Sequence, residues 1–140
     1  MTKRSQHDVV LVPVRGVDAP GITATLTSTI AASRGVKIID IEQTIVHRKL
    51  LLSILLQFDH GRSEKTSVLK ELLFKAKEVG INLEFEAFDR SYFDGDEKRK
   101  QYAITCLGND VGALPLSRIS QLLARHQVNI DKIGKMTEKN

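Results

Sequence analysis

The segment Gly16-Val17-Asp18-Ala19-Pro20-Gly21-Ile22 gathers residue types suited to holding a small anion. Glycine and proline shape tight turns, and Asp18 adds an acceptor suited to an ammonium group. Where such a turn opens a helix, the first backbone N–H groups lack internal partners and carry the positive end of the helix dipole. A carboxylate or a phosphate fits that cradle. The same residue types also build a plain turn with proline at the first helical position, so local features alone leave both roles open.

Other constellations carry less. Cys106 is the only cysteine, which precludes an internal disulfide and fits a reducing, cytoplasmic setting. A lone cysteine in a strand reads as a small core residue. His7, His47, His60 and His126 are scattered without metal-ligand spacing. Asp94-Gly95-Asp96 comes closest to a carboxylate nucleophile, but it lies in a polar stretch with Lys98 where a small residue belongs. A nucleophilic carboxylate needs an apolar strand to hold it and further carboxylates for magnesium.

Apolar periodicity supplies the elements around the turn. Val9–Arg15 reads as a strand, Gly21–Arg34 as a helix with Ile22, Leu26 and Ile30 on one face, and Gly35 as its C-terminal stop. Val36–His47 and Leu50–Phe58 read as strands joined by a tight hairpin at Arg48-Lys49. Ser63 is placed to cap a second helix bearing Val68, Leu69, Leu72, Leu73, Ala76 and Val79 on one face, and Gly80 ends it. A fourth strand follows, with Ile81, Leu83, Phe85 and Ala87 alternating against polar residues. Pro13 cannot donate to a ladder, so a bulge is expected in the first strand.

The order strand, helix, strand, strand, helix, strand predicts an α+β, ferredoxin-like βαββαβ sandwich with helices on one sheet face. Leucines at both parities of Leu50–Phe58 predict that the other face is covered by a further domain or subunit. Residues 1–90 form this first domain, and the charged stretch 91–101 reads as a linker.

Residues 102–140 repeat the opening pattern. Tyr102–Leu107 reads as a strand, Leu116–His126 as a helix and Val128–Ile133 as a strand. At a constant offset Gly16 matches Gly108, Asp18 matches Asp110, Val36 matches Val128, Ile38 matches Ile130 and Ile41 matches Ile133. The second unit is therefore expected to be the βαβ first half of another such domain, with Gly108, Asn109, Asp110 and Gly112 as its loop. A half-sheet leaves edges to protect, which favours pairing or a longer natural chain.

Composition narrows the function. The 140 residues are 41% hydrophobic and 27% charged, the balance of a globular protein. The longest apolar run, Leu50–Leu56, is far short of a membrane span, and no export signal opens the chain. The net charge of +4 is spread along the chain, and the central strand lacks the stacking aromatics of an RNA-binding sheet. Neither nucleic acid nor membrane is an expected partner.

The motifs Gly16-Val17-Asp18-Ala19-Pro20-Gly21-Ile22-Thr23-Ala24-Thr25-Leu26, Gly35-Val36-Lys37-Ile38-Ile39-Asp40-Ile41-Glu42-Gln43 and Val46-His47 before Leu50-Leu51-Leu52-Ser53-Ile54-Leu55 resemble the tandem ACT-domain region at the N-terminus of bacterial phosphoserine phosphatases. The resemblance spans nearly the whole chain. It implies a regulatory, amino-acid-binding region of serine biosynthesis rather than an enzyme, with catalysis and magnesium confined to a separate haloacid-dehalogenase-type domain. It implies L-serine, or glycine, as ligand and homodimerisation by ACT–ACT pairing. By the same resemblance the ligand site takes in Gly16, Asp18, Pro20, Gly21 and Ile22, with amides of Gly21 and Ile22 on the carboxylate, and Gly108, Asn109, Asp110 and Gly112 in the same or a related pocket. A stand-alone regulator of the glycine-cleavage type is the alternative.

Overall fold

The computed structural model describes residues 8–59, 62–89, 100–109 and 112–136. They fall into two compact units, Met1–Arg99 and Lys100–Asn140. Most of the stretch expected as a linker, with Asp94-Gly95-Asp96, lies outside the described residues, as do His7 and His60.

The first unit runs β1 (Asp8–Val17), α1 (Ile22–Ala31), β2 (Val36–Val46), β3 (Lys49–Phe58), α2 (Arg62–Val79), β4 (Asn82–Leu83) and β5 (Glu86–Ala87). The sheet order is β2-β3-β1-β4, with β5 also on β1, and every pairing is antiparallel. This is the expected ferredoxin-like arrangement. Its core joins Val10, Val12 and Val14 of β1 to Leu50, Leu52, Ile54, Leu56 and Phe58 of β3. Ile22, Leu26 and Ile30 of α1 and Val68, Leu72 and Ala76 of α2 cover that face. The α2 stripe is narrower than its periodicity suggests, since Leu73 and Val79 are exposed. The helix also starts one residue before Ser63, the position expected to cap it.

Three local departures from the sequence reading have physical causes. Pro13 produces no bulge in β1: it pairs in register with Ser53 of β3. The cost falls on its other neighbour. Val14↔Leu83 and Leu11↔Glu86 lie on one continuous register, and the break between β4 and β5 falls opposite Val12 and Pro13. The Pro13 carbonyl accepts from the Glu84 N–H at 3.0 Å, but the reciprocal donor is missing, so the expected fourth strand divides in two.

The bulge lies instead in β2, between Ile38 and Asp40. The extra residue, Ile39, shifts parity so that Ile41, Gln43 and Ile45 stand opposite the buried Ile54, Leu52 and Leu50. Strict alternation would have put Asp40 on that face. The hairpin tip is His47-Arg48, one residue earlier than expected, with φ of 46° and 68°. Two consecutive left-handed residues match the twist of a two-residue hairpin, even without Asn-Gly.

In the second unit α3 (Ala113–Arg125) is the regular element among the described residues. The expected strands at 102–107 and 128–133 form no ladder, and Cys106 is exposed rather than in a core. The first unit explains why. Its strands flanking α1 never pair with each other, because β3 lies between β1 and β2. The described residues of the second unit contain no counterpart of β3, so Tyr102, Ile104, Val128 and Ile133 stay exposed and α3 buries no residue. Among the described residues no helix is long and apolar enough to cross a membrane.

Candidate functional site

The β1–α1 turn is where the structure assembles chemistry. Gly21 occupies the N-cap of α1 at φ 90°, a left-handed conformation, and no side chain caps the helix. The Gly21 carbonyl accepts from the Thr25 N–H at 2.9 Å, the first bond of the helical ladder. The N–H groups of Ile22, Thr23 and Ala24 therefore precede the ladder and face an open turn. Ile22 is itself buried and anchors the helix start in the core, so the donors are held by packing.

Around this opening Asp18, Ala19 and Pro20 are exposed. The Asp18 N–H donates to the Arg48 carbonyl at 2.8 Å, tying the turn to the β2–β3 hairpin tip. Its carboxylate has no partner among the described residues, so it remains available as an acceptor. A turn combining backbone donors with a free carboxylate can hold both ends of a zwitterion.

Gly16 is not in the turn. It belongs to β1 opposite Leu50, and a Cβ there would come within 2.8 Å of Ile81 Cγ2 and 3.3 Å of Ile81 Cα. Close packing against α2's exit requires this glycine. The second unit's loop differs in geometry: Gly112 caps α3 in an extended conformation, φ −87° and ψ −174°, unlike Gly21. Gly108 and Asn109 are exposed, and Asp110 lies outside the described residues. The second loop thus belongs to a separate unit and lacks the left-handed entry of the first.

Sequence reasoning missed one side-chain link at the site. The Thr23 hydroxyl donates to Gln43 Oε1 at 2.6 Å, joining the first turn of α1 to β2. Both residues lie in the quoted motifs, but nothing in their spacing signals that they meet across twenty positions. Among the described residues no group of His, Cys, Asp or Glu could hold a metal ion.

A four-stranded path covered on one face by two helices, with a helix opening from the first strand, defines a ferredoxin-like α+β domain. Residues 8–86 match the family model of the ACT domain, and the chain belongs to that family.

Among individual proteins, phosphoserine phosphatase SerB2 of Mycobacterium tuberculosis is 27% identical over 129 residues, covering 92% of this chain and 31% of that protein. The chain thus spans about a third of the length of this curated relative. A solved structure of a candidate glycine cleavage system transcriptional repressor superposes with TM-score 0.61 at 17% identity, covering 88% of this chain and 68% of its own. An ACT domain protein from Streptococcus pneumoniae gives TM-score 0.50 at 19% identity, over 64% of this chain and 98% of its own. The last two likenesses concern the fold alone.

Proposed function

We propose that this chain is the regulatory, amino-acid-sensing region of a phosphoserine phosphatase of serine biosynthesis, with L-serine as ligand and glycine as a weaker one. The observation that carries the reading is the N-terminus of α1, uncapped by a side chain, beside the carboxylate of Asp18, which has no partner among the described residues. The likeness of 92% of the chain to a phosphoserine phosphatase supports the choice of pathway. Amides of Gly21 and Ile22 take the ligand carboxylate, and Asp18 takes its ammonium, each as a charge-assisted hydrogen bond. The small residues around the turn favour a short side chain. Dephosphorylation itself, with its magnesium and aspartate nucleophile, is assigned to a haloacid-dehalogenase-type domain outside the two ACT-type units.

Pairing of two copies belongs to the same reading. β2 is an edge strand, with no neighbouring strand on the side away from β3 among the described residues. Beside it, Ile38, Ile41 and Ile45 lie on the helix-bearing face yet remain 38%, 42% and 47% exposed. An edge with an uncovered apolar shelf is suited to a second copy of itself. A stand-alone glycine-cleavage-type regulator is the second reading, favoured by the fold likeness that covers 88% of this chain.

Isothermal titration with L-serine, glycine and phenylalanine tests the proposal, with Asp18→Ala as control. Saturable binding of L-serine that weakens at least tenfold in Asp18→Ala supports it. No binding of L-serine or glycine overturns it.

A further inference from the structure

The sheet face turned away from α1 and α2 carries a charge pattern that the ligand turn does not use. Register across the strands sets two neighbouring rows on that face: Asp40, Leu55, Leu11 and Glu86 in one, Glu42, Ser53, Pro13 and Glu84 in the next. Leu83 and Phe85 pack toward the core, so the alternating Glu84 and Glu86 point the other way. On the opposite edge the bulge at Ile39 does the same for β2, since unbroken alternation from Ile38 would send Asp40 and Glu42 inward.

Each row therefore ends in a carboxylate at both edges. All four acidic residues are exposed, and none is ion-paired among the described residues; one Asp40 oxygen accepts from the Ile41 N–H at 2.9 Å. Between these two rails lie half-buried Leu11 and Pro13 and buried Leu55, with Leu51 43% exposed in the adjoining row. Arg15 and Lys49 stand further toward the hairpin and Lys37 toward the other end, so the two rows themselves hold no cation.

We infer that this face is a docking trough for a basic amphipathic helix of a partner protein, with an apolar stripe on the floor and lysine or arginine on both flanks. The inference goes beyond the ligand reading and does not depend on it. Spacing selects a helix: the rails lie three strand spacings apart, about 14 Å. A helix with its side chains is about 10–12 Å across, so its flanking cations reach both rails, whereas an extended segment leaves one unmet. Along each rail the carboxylate-bearing residues are about 7 Å apart, close to the rise between helical positions i and i+4. Charge selects the partner. A second copy stacked on the same face would set carboxylates against carboxylates, and an anionic membrane or nucleic acid is repelled in the same way.

The probe is a helical peptide of about 18 residues, made of leucine and lysine with the leucines in one stripe, beside a scrambled peptide of equal charge. Fluorescence anisotropy measures binding to the full chain, and circular dichroism checks the fold of each variant. The striped peptide binds at least about tenfold tighter than the scrambled one. Combining Asp40→Asn, Glu42→Gln, Glu84→Gln and Glu86→Gln weakens it at least about tenfold, the scale of four exposed ion pairs together. The same change in net charge made elsewhere, by Glu64→Gln, Glu71→Gln, Glu78→Gln and Asp131→Asn, alters it less than about twofold. Leu51→Gln, which leaves every charge in place, weakens it severalfold and keeps the test decisive if the fourfold rail variant fails to fold. Equal affinity for both peptides, or equal loss from both sets of substitutions, reduces the attraction to net charge and overturns the trough. Self-association of the parent chain that Leu51→Gln abolishes gives the face to a second copy and overturns it too.

Discussion

The backbone N–H of Asp18 donates to the carbonyl of Arg48 at 2.8 Å, so the candidate ligand turn and the β2–β3 hairpin tip are one structural unit. Because the main chain makes this bond, the Asp18 side chain is released from holding the turn. Asp18→Ala is accordingly expected to change the unfolding free energy by less than about 0.5 kcal/mol, as for other surface substitutions. Urea denaturation followed by circular dichroism checks this, and a parallel loss of stability and serine binding would reassign Asp18 to turn construction.

The hairpin tip itself holds two side chains in a left-handed conformation, His47 at φ 46° and Arg48 at φ 68°. Residues with a Cβ pay about 1 kcal/mol each for this region. Replacing the pair with the residues that two-residue hairpins prefer, His47→Asn with Arg48→Gly, should raise stability by about 1 kcal/mol. The thermal midpoint then rises by several degrees for a domain of this size.

Gly16 is bound by packing rather than ligand chemistry. A methyl group there meets Ile81 Cγ2 at 2.8 Å and its Cβ and Cα at 3.2 and 3.3 Å. Gly16→Ala should cost about 1–3 kcal/mol through overpacking. Adding Ile81→Ala removes the nearest carbon, so the double variant should lose less than the sum of the two single changes, as a double-mutant cycle would record.

Pro13 interrupts the ladder between β1 and the β4–β5 pair. Pro13→Val restores a donor opposite Glu84, whose N–H already bonds the residue 13 carbonyl. The expected outcome is a slowly exchanging amide at position 13, with stronger protection at the alternate amides that face β1, Asn82, Glu84 and Glu86, read by hydrogen exchange. An unprotected amide at 13 would mean that the strand divides for another reason.

Much of this architecture was legible because it depends on local periodicity. The helical spacing of Ile22, Leu26 and Ile30 and the alternation through β3 define burial without knowledge of any partner, and all five alternate β3 residues from Leu50 to Phe58 are buried. The Gly-Asp-Pro-Gly turn announced its own position between strand and helix. The Thr23–Gln43 contact was not legible, since hydrogen bonds between distant residues leave no spacing in the chain.

The sequence by itself determined the element order, the core faces of the first unit and the location of the candidate ligand turn, because side-chain period and turn chemistry act over a few residues. Tertiary structure decided register and neighbours. It put Ile39 in a bulge that turns Gln43 toward α1, and it split the fourth strand across Pro13. It left Tyr102–Leu107 and Val128–Ile133 unpaired because in this topology β1 and β2 are each completed by β3, not by one another. A strand's apolar pattern says which face is buried, but its hydrogen bonds exist only when the neighbour that completes them is in place.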